Sequence, residues 1–433
     1  MNDKNKINEM GIVSGTKLPD LDPPLSTVGM IGWMRTNLFS GPLNTILTLA
    51  AVALLTMVIP PMLNWTIFDA VWTGGSDACR ENPNAACWTF ASSWWEFFLY
   101  GFYNKSERWR IDLVLCALYV GIAFIVVDDE SRASRPTSTI LAFIISIVTA
   151  VFVSMLIRHG APTMWIFMGG LLTVGLALWA WGLPNGRSRI GMILLFGFPV
   201  FAYFLLGGGV LGLSEVSTSD WGGFSLTLVI AITGIVASLP LGILLALGRR
   251  SEMPVLRLLS TLFIEFWRGV PLITVLFMAS FMLPLFMPKG VQFDQLIRAL
   301  IGVALFSSAY MAEVVRGGLQ AIPKGQYEGA QSLGLSFWKM TGLVVMPQAL
   351  KIVIPGIVST FIGLFKDTTL VLIIGLLDFL SSVQTATTNP EWSIKSVPYT
   401  GYVLVAIVFW VHCFGMAKYS HNLEQKLHTG HKR

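Results

Sequence analysis

Six charged side chains interrupt long apolar runs in the second half of the sequence, and their setting makes them the first candidates for chemistry. They are Glu265, Arg268, Glu313, Arg316, Lys366 and Asp367. An ionisable group in an apolar span is costly, so it usually pairs with another charge or faces a polar cavity. Such groups are candidates for a functional site by default.

Spacing divides the six into two kinds. In two pairs an acid lies three residues before a base: Glu265 with Arg268, and Glu313 with Arg316. Each pair can meet on one helix face as an ion pair, and the alternative is direct contact with a substrate or a gate. Lys366 and Asp367 are adjacent, about 100° apart around a helix, so each needs another partner or a water-filled cavity. For these two, a pathway role and bonding between helices both remain open.

The sequence has no nucleotide or metal motif. The run Gly207-Gly208-Gly209 is not followed by the Lys-Ser/Thr of a phosphate-binding loop. The five histidines lack the carboxylate or cysteine spacing of a metal site; they are His159, His412, His421, His428 and His431. We therefore expect no metal and no cofactor on this chain, and an energy source elsewhere.

Two of the four cysteines flank a turn-like stretch. Cys79 and Cys87 enclose a loop between two hydrophobic segments, and a disulfide can close that loop in an oxidising compartment. Two free thiols are the alternative. Cys116 and Cys413 lie in apolar runs, where they are typical small buried residues.

The composition is that of a membrane protein. Of 433 residues, 54% are apolar and 12% are charged, and the mean hydropathy is +0.68. The charged share is about half that of a soluble domain, which excludes an ordinary cytosolic enzyme. The net charge of +5 is better read by position than as a sign of nucleic acid binding.

The apolar runs predict an all-α polytopic membrane protein with about ten transmembrane helices. The predicted spans are 42–63, 111–127, 138–157, 164–183, 190–213, 224–248, 258–287, 295–320, 352–378 and 399–418. Most Lys and Arg residues then fall in segments on the side of the N-terminus, which is the positive-inside pattern of cytoplasmic termini. The aromatic segment Trp88–Tyr103 is short and contains Glu96, so we expect an amphipathic helix in the outer interface rather than a span.

The chain divides into two halves of different character. We expect a cytoplasmic segment at 1–41 and a scaffold of about five helices at 42–215, with a periplasmic loop near 64–110. The core, 216–420, has five helices and carries the charges listed above; a cytoplasmic tail, 421–433, follows.

Between two core spans, the sequence predicts a cytoplasmic knob at 322–346. Tyr327 to Leu333 forms one short helix, Gly334 permits a left-handed cap, and Phe337 to Val345 forms a second helix that Pro347 ends. The order of Glu328-Gly329-Ala330, Gly334 and Pro347 resembles the EAA signature of ABC-importer permeases. The departure is Gly329, where the family usually has Ala, and it weakens the helix by roughly 1 kcal/mol.

Three further segments resemble the polar and general L-amino acid branch of these permeases: Phe263–Ile273, Ala309–Gly318 and Phe365–Leu370. The long N-terminal extension is most similar to the longer (M or C type) permease of the systems called Aap and Bzt. The resemblance implies a type I permease core. It also implies coupling to an ATPase through Tyr327, Glu328, Gly329, Ala330, Leu333 and Gly334.

The same resemblance implies an assembly in the bacterial inner membrane. Its members are a second homologous permease, forming a heterodimer, two ATP-binding subunits that hold ATP and Mg²⁺, and a periplasmic amino-acid-binding protein. The chain itself would be no enzyme, and it would contact membrane lipid and an L-amino acid such as glutamate, glutamine or aspartate, but no nucleic acid.

A translocated amino acid carries both an ammonium and a carboxylate, so its pathway needs weak donors and acceptors. Besides the six charged residues, the polar candidates are Ser307, Tyr310, Thr368, Thr369 and Gln384. Two alternatives differ in class. One is an ion-driven secondary transporter of ten helices that depends on Lys366 and Asp367, and the other is a structural membrane subunit without a pathway.

Overall fold

The structure is a computed structural model. It describes residues 29–126, 187–209, 212–288 and 293–427. The predicted spans 138–157 and 164–183 lie outside these ranges. The chain forms two units, Met1–Ala70 and Val71–Arg433.

Most of the described chain is helical. Its α-helices are α1 (Gly29–Asn37), α2 (Pro42–Leu63), α3 (Ser76–Glu81), α4 (Trp88–Ser93), α5 (Trp95–Tyr100), α6 (Trp109–Val126), α7 (Arg187–Gly207), α8 (Gly223–Arg249), α9 (Pro254–Gly269), α10 (Leu272–Phe277), α11 (Leu283–Phe286), α12 (Gln295–Ala321), α13 (Lys324–Ser332), α14 (Phe337–Met340), α15 (Met346–Asp367), α16 (Phe379–Thr387) and α17 (Val397–Leu427). The wider π-helical turns are Asn64–Phe68, Met278–Met282 and Thr341–Val345. The 3₁₀ turns are Lys105–Glu107, Thr218–Asp220, Thr368–Ile374 and Pro390–Trp392, and β1 is Leu377–Asp378.

Five helices in the described ranges are long and apolar enough to cross a membrane, or six if one bent pair counts as a span. They are Pro42–Phe68, Gly223–Arg249, Gln295–Ala321, Phe337–Ile374 and Val397–Gln425. The prediction of a helical membrane protein is confirmed, whereas ten spans are not established.

The predicted span 258–287 is broken rather than straight. It consists of Pro254–Gly269 and Leu272–Phe286, which meet at 102°. Pro271 causes the break because it has no N–H to donate and pushes the residue before it out of the helical region. Val270 accordingly has an extended backbone, with φ −111° and ψ 133°.

The predicted end of a helix at Pro347 is wrong. The helix that begins at Phe337 continues through the π turn Thr341–Val345 into α15. A wider turn just before the proline relieves the clash between its ring and the carbonyl four residues earlier. The span ends in the 3₁₀ turn that stops at Gly375, where φ is +80°.

Glycines allow the core helices to approach closely. A Cβ on Gly242 of α8 would lie 2.7 Å from Met311 of α12, and one on Gly318 of α12 would lie 2.7 Å from the Ala349 carbonyl oxygen of α15. Small residues at such contacts are typical of helix packing in membranes. As a result α8, α12 and α15 form one tightly packed group.

The core group has two ends, about 40 Å apart along the 27 residues of α8. At the Gly223 end, Gly222 and Gly223 pair with Leu377 and Asp378. At the Arg249 end, α8 contacts the last turn of α12 through Arg250, which donates to the Leu319 carbonyl.

Residues 71–108 fold into a cap on the Gly223 end. The cap contacts the core where Gly101 pairs with Trp221 and where the Cys87 N–H donates to the Thr400 hydroxyl at 3.0 Å. Its segment Trp88–Tyr103 is neither a span nor one amphipathic helix, because it divides at Trp94 into α4 and α5.

Inside the cap, aromatic side chains are buried against protein. Phe98 and Tyr103 are each 1% exposed. Burial raises the pKa of the Tyr100 and Tyr103 hydroxyls, so both remain protonated donors. They donate to Asp112 and to the Leu206 carbonyl, each at 2.7 Å. The cap is therefore a packed element.

Candidate functional site

The first half of the predicted knob is α13, which has one face packed against the protein and one face exposed. Ala330 is 3% exposed and packs with the hydrophobic cluster at the Arg249 end, and Tyr327, three residues earlier, packs against the same cluster. Glu328 and Gly329 lie on the exposed side. Tyr327 and Ala330, two of the predicted coupling residues, thus lie on one face of the helix and anchor it, while Glu328 stays exposed on the other face.

Gly334 ends α13 in a left-handed turn. Its φ is +71°, its N–H donates to Gln331 at 2.9 Å, and the Leu335 N–H donates to Ala330 at 3.2 Å. This is the Schellman arrangement, in which a glycine satisfies the last carbonyls of a helix. The turn that the sequence predicts at this position is present.

An apolar ridge is exposed on the outer side of the knob. Leu333 is 80% exposed, Trp338 69% and Phe337 55%. Leu333 belongs to the residues predicted for coupling, whereas Phe337 and Trp338 do not. Their signal in the sequence is an aromatic pair immediately after a glycine turn, which by itself is also compatible with core packing.

A charge network lies beside the knob and joins three helices. Arg316 donates to Glu313 through Nε at 2.8 Å, and Arg249 Nη1 lies 3.3 Å from the other Glu313 oxygen. Arg268 Nη1 lies 3.6 Å from that same oxygen. One carboxylate of α12 therefore holds arginines from α8, α9 and its own helix.

The predicted pair of Glu265 with Arg268 does not form. Glu265 instead accepts from Arg249 at 2.7 Å, and Arg268 lies near Glu313 with its guanidinium 5.8 Å from the ring centre of Tyr310. Spacing along α9 allows both arrangements, but Arg249 at the end of α8 reaches Glu265 from a neighbouring helix. Arg249 and Arg250 are not among the predicted site residues, although two adjacent arginines at the end of a span are a visible signal.

Lys366 and Asp367 lie in the span Phe337–Ile374, at the point where the α-helix becomes a 3₁₀ turn. Lys366 is exposed and Asp367 is partly exposed. Among the described residues, neither side chain makes a hydrogen bond or an ion pair. The partners that the sequence analysis requires for them are not in the described chain.

Most of the uncharged pathway candidates bond the backbone of their own helix. Ser307 donates to the Val303 carbonyl at 2.7 Å, and Thr368 donates to the Phe365 carbonyl at 2.8 Å, so both bond their own helix. Thr369 does the same with Lys366. Tyr310 is exposed beside the charge network, and Gln384 lies in α16.

An apolar cavity of about 300 Å³ lies between the bent pair and α12. Its lining includes Trp267, Val270, Met282 and Leu305, together with Arg298. None of the predicted pathway residues lines it. Within the described ranges, no group of His, Cys, Asp or Glu side chains is arranged to hold a metal ion.

At the Gly223 end, Cys79 and Cys87 form a disulfide, and both are fully buried. The bridged loop contacts the core through Arg80, which donates to the Glu391 carbonyl at 2.8 Å. The two cysteines singled out in the sequence thus close the cap near the segment that leads into α17.

Comparison with known proteins gives consistent results. Residues 238–428 match the family described as "Binding-protein-dependent transport system inner membrane component". The chain is 47% identical over 400 residues to the "Inner membrane amino-acid ABC transporter permease protein YhdY" of Escherichia coli (strain K12), covering 92% of this chain and 93% of that protein.

A second relative is the "Glutamate/glutamine/aspartate/asparagine transport system permease protein BztC" of Rhodobacter capsulatus. The two are 41% identical over 429 residues, which is 94% of this chain and 96% of the relative. A crystal structure described as an amino acid ABC transporter with histidines aligns with 47% of this chain and 92% of its own, at 26% identity and a TM-score of 0.42.

Proposed function

The chain belongs to the family of amino-acid ABC transporter permeases, and on that premise we propose how it couples ATP hydrolysis to uptake. In the proposed mechanism, an ATP-binding subunit docks on the segment 322–346. Its closing motion is passed to α8, α12 and α15, which open a path for the amino acid. The observation that carries this proposal is the exposed ridge of Leu333, Phe337 and Trp338 on an anchored knob.

The physical argument rests on the two faces of α13. A segment that transmits force needs a firm hold on the membrane helices, which Tyr327 and Ala330 supply. It also needs a surface for its partner. Exposed apolar and aromatic side chains beside an acidic group such as Glu328 provide one, since buried aromatic anchors dominate interface energetics.

For the rest of the assembly we propose a second homologous permease, two ATP-binding subunits and a periplasmic amino-acid-binding protein. ATP and Mg²⁺ would be held by the ATP-binding subunits, so this chain would perform no hydrolysis. The glycine run Gly207-Gly208-Gly209 supports this because no Lys-Ser/Thr follows it.

The proposed substrates are polar L-amino acids, including glutamate, glutamine and aspartate. The support is the name of the Rhodobacter capsulatus relative, which covers nearly the whole chain. The transport pathway is proposed to pass Lys366 and Asp367, because charges in a span without a partner in the described chain are suited to a polar cavity. The network around Glu313 is proposed to act as a gate at the Arg249 end.

We further propose that the Arg249 end faces the cytoplasm and that the cap faces the periplasm. The knob must reach the ATP-binding subunits, which need cytoplasmic ATP, and the Cys79–Cys87 disulfide suits an oxidising compartment. Family membership favours this ATP-driven mechanism over an ion-driven secondary transporter.

Copurification and reconstitution test the proposal together. The tagged chain should bring an ATP-binding subunit out of native membranes, and proteoliposomes with the complex and the binding protein should take up labelled glutamate only with ATP. Glu328→Lys should abolish uptake while the protein still inserts. Uptake driven by an ion gradient without ATP would refute the proposal.

A further inference from the structure

Arg250 connects three elements at the base of the knob. Its backbone caps the C-terminus of α8. Its Nη1 donates to the Leu319 carbonyl of α12 at 2.8 Å and to the Tyr327 hydroxyl of α13 at 3.0 Å. One nitrogen with two hydrogens thus serves acceptors on two different helices.

Tyr327 completes a closed triangle. Its hydroxyl donates to the same Leu319 carbonyl at 3.2 Å, and the Arg250 guanidinium carbon lies 5.6 Å from the centre of its ring. Hydrogen bonds that involve a charged donor are roughly twice as strong as neutral ones. Arg250, Leu319 and Tyr327 are called the latch below.

The latch supplies a connection that the chain itself lacks. The knob is joined covalently to α12 through Ile322 and Pro323, and α14 continues into α15. By contrast, α8 ends more than seventy residues before the knob, so its link to α13 is non-covalent. Arg250 is the residue at the end of α8 that bonds α13 directly.

We propose, on the premise of the coupling function above, that Arg250 is a positioning residue that transmits movement of the knob to α8. A push on α13 moves Tyr327, which carries Arg250 and the end of α8 with it. Without the latch, the push reaches α12 and α15 but moves α8 only through packing. ATP hydrolysis then continues with less transport per cycle.

The test is the ratio of amino acid uptake to ATP hydrolysis in proteoliposomes that contain the whole transporter and its binding protein. Arg250→Ala should lower this ratio by at least roughly tenfold, the effect of losing a hydrogen bond from a charged group. The amount of copurified ATP-binding subunit should not change. Tyr327→Phe keeps the ring and removes only the hydroxyl, so it should lower the ratio by roughly threefold.

The double variant measures whether the two side chains act as one unit. Combining Arg250→Ala with Tyr327→Phe should lower the ratio no further than Arg250→Ala alone, because coupled residues are not additive. If the effects of the two substitutions multiply in the double variant, the side chains act independently and the latch proposal is wrong. Tyr327→Phe also keeps the test valid if Arg250→Ala folds poorly.

Arg257→Ala is the matched control. Arg257 is an exposed arginine at the same end, and its Nε donates to the Ser251 carbonyl at 2.8 Å; within the described residues it makes no hydrogen bond or ion pair with the knob. The ratio of uptake to ATP hydrolysis in Arg257→Ala should equal that of the wild type. A loss as large as that of Arg250→Ala would overturn the proposal and indicate a general effect of positive charge. If the wild type shows no ATP-dependent uptake, the proposed function is wrong. If the wild type is active and both Arg250→Ala and Tyr327→Phe keep its ratio of uptake to ATP hydrolysis, only the latch proposal is wrong.

Discussion

Two glutamates at the Arg249 end differ in how many arginines they contact and in how exposed their side chains are. Glu313 is shared by three arginines and its side chain is 23% exposed, whereas Glu265 faces one arginine and its side chain is 56% exposed. An acid that separates several positive charges is harder to replace than one at the edge of the network. We therefore expect Glu313 to contribute more to stability than Glu265.

The two glutamates provide a matched test of this difference. Glu313→Gln should lower the free energy of unfolding by about 2–3 kcal/mol, because it removes charged hydrogen bonds and leaves the arginines facing one another. Glu265→Gln should cost less than about 1 kcal/mol, as for an exposed ion pair. Unfolding of the purified proteins in detergent measures both, and equal losses would contradict the network.

Gly329 and Gly334 form a second matched pair, since a Cβ on either would meet no neighbouring atom within 4 Å. They differ in backbone conformation, because Gly329 is inside the helix α13 whereas Gly334 is left-handed, with φ +71°. Gly329→Ala should stabilise the protein by about 0.5–1 kcal/mol and preserve uptake. Gly334→Ala should destabilise it by about 1–2 kcal/mol. Thermal unfolding checks the two signs, and a loss at Gly329 would be the contrary result.

At the scale of elements, the knob is a short helix, a left-handed turn and the start of a long span. This last connection differs from the sequence prediction, which separated the second helix from the span at Pro347. Because the helix is continuous from Phe337 to Asp367 through the π turn, a force on the exposed ridge acts on one end of a membrane-spanning element.

The ridge should contribute most of the docking energy. Trp338→Ala should weaken retention of the ATP-binding subunit at least about tenfold, because exposed tryptophans at interface centres are common hot spots. Val255→Ser is the control, since Val255 is 66% exposed at the same end but lies outside the knob. Quantitative copurification compares them, and retention by Trp338→Ala equal to the control would contradict the docking surface.

At the scale of the whole molecule, the Val71–Arg433 unit has a disulfide-closed cap at one end and a charged, knob-bearing surface at the other. The two are separated by the length of α8, about 40 Å. This polarity is compatible with the distribution of Lys and Arg along the sequence, which predicts a cytoplasmic knob and a periplasmic cap.

Thiol labelling on intact cells can check that orientation. Ser92 in the cap and Ser332 in the knob are both exposed. An impermeant reagent should label Ser92→Cys in intact cells and Ser332→Cys only after permeabilisation, each measured against the unmodified parent. The reverse pattern would place the knob outside and exclude ATP-driven coupling there.

Much of the architecture follows from the sequence alone. Apolar runs predict membrane helices because a span needs about 20 apolar residues, and the spacing of Tyr327, Ala330 and Gly334 predicts a helix with a left-handed stop. The family resemblance carried by Glu328 and its neighbours is likewise readable without coordinates. These features are local, so neighbouring residues are enough to specify them.

The tertiary structure decided which partners the charges take. Glu265 pairs with Arg249 rather than with Arg268, and Arg250 reaches Tyr327, because separate helices come together at one end. The two prolines also differ in a way that only the structure shows, because the chain breaks at Pro271 whereas the helix continues through a π turn at Pro347. Periodicity along one helix specifies a face, but only packing between helices determines what that face meets.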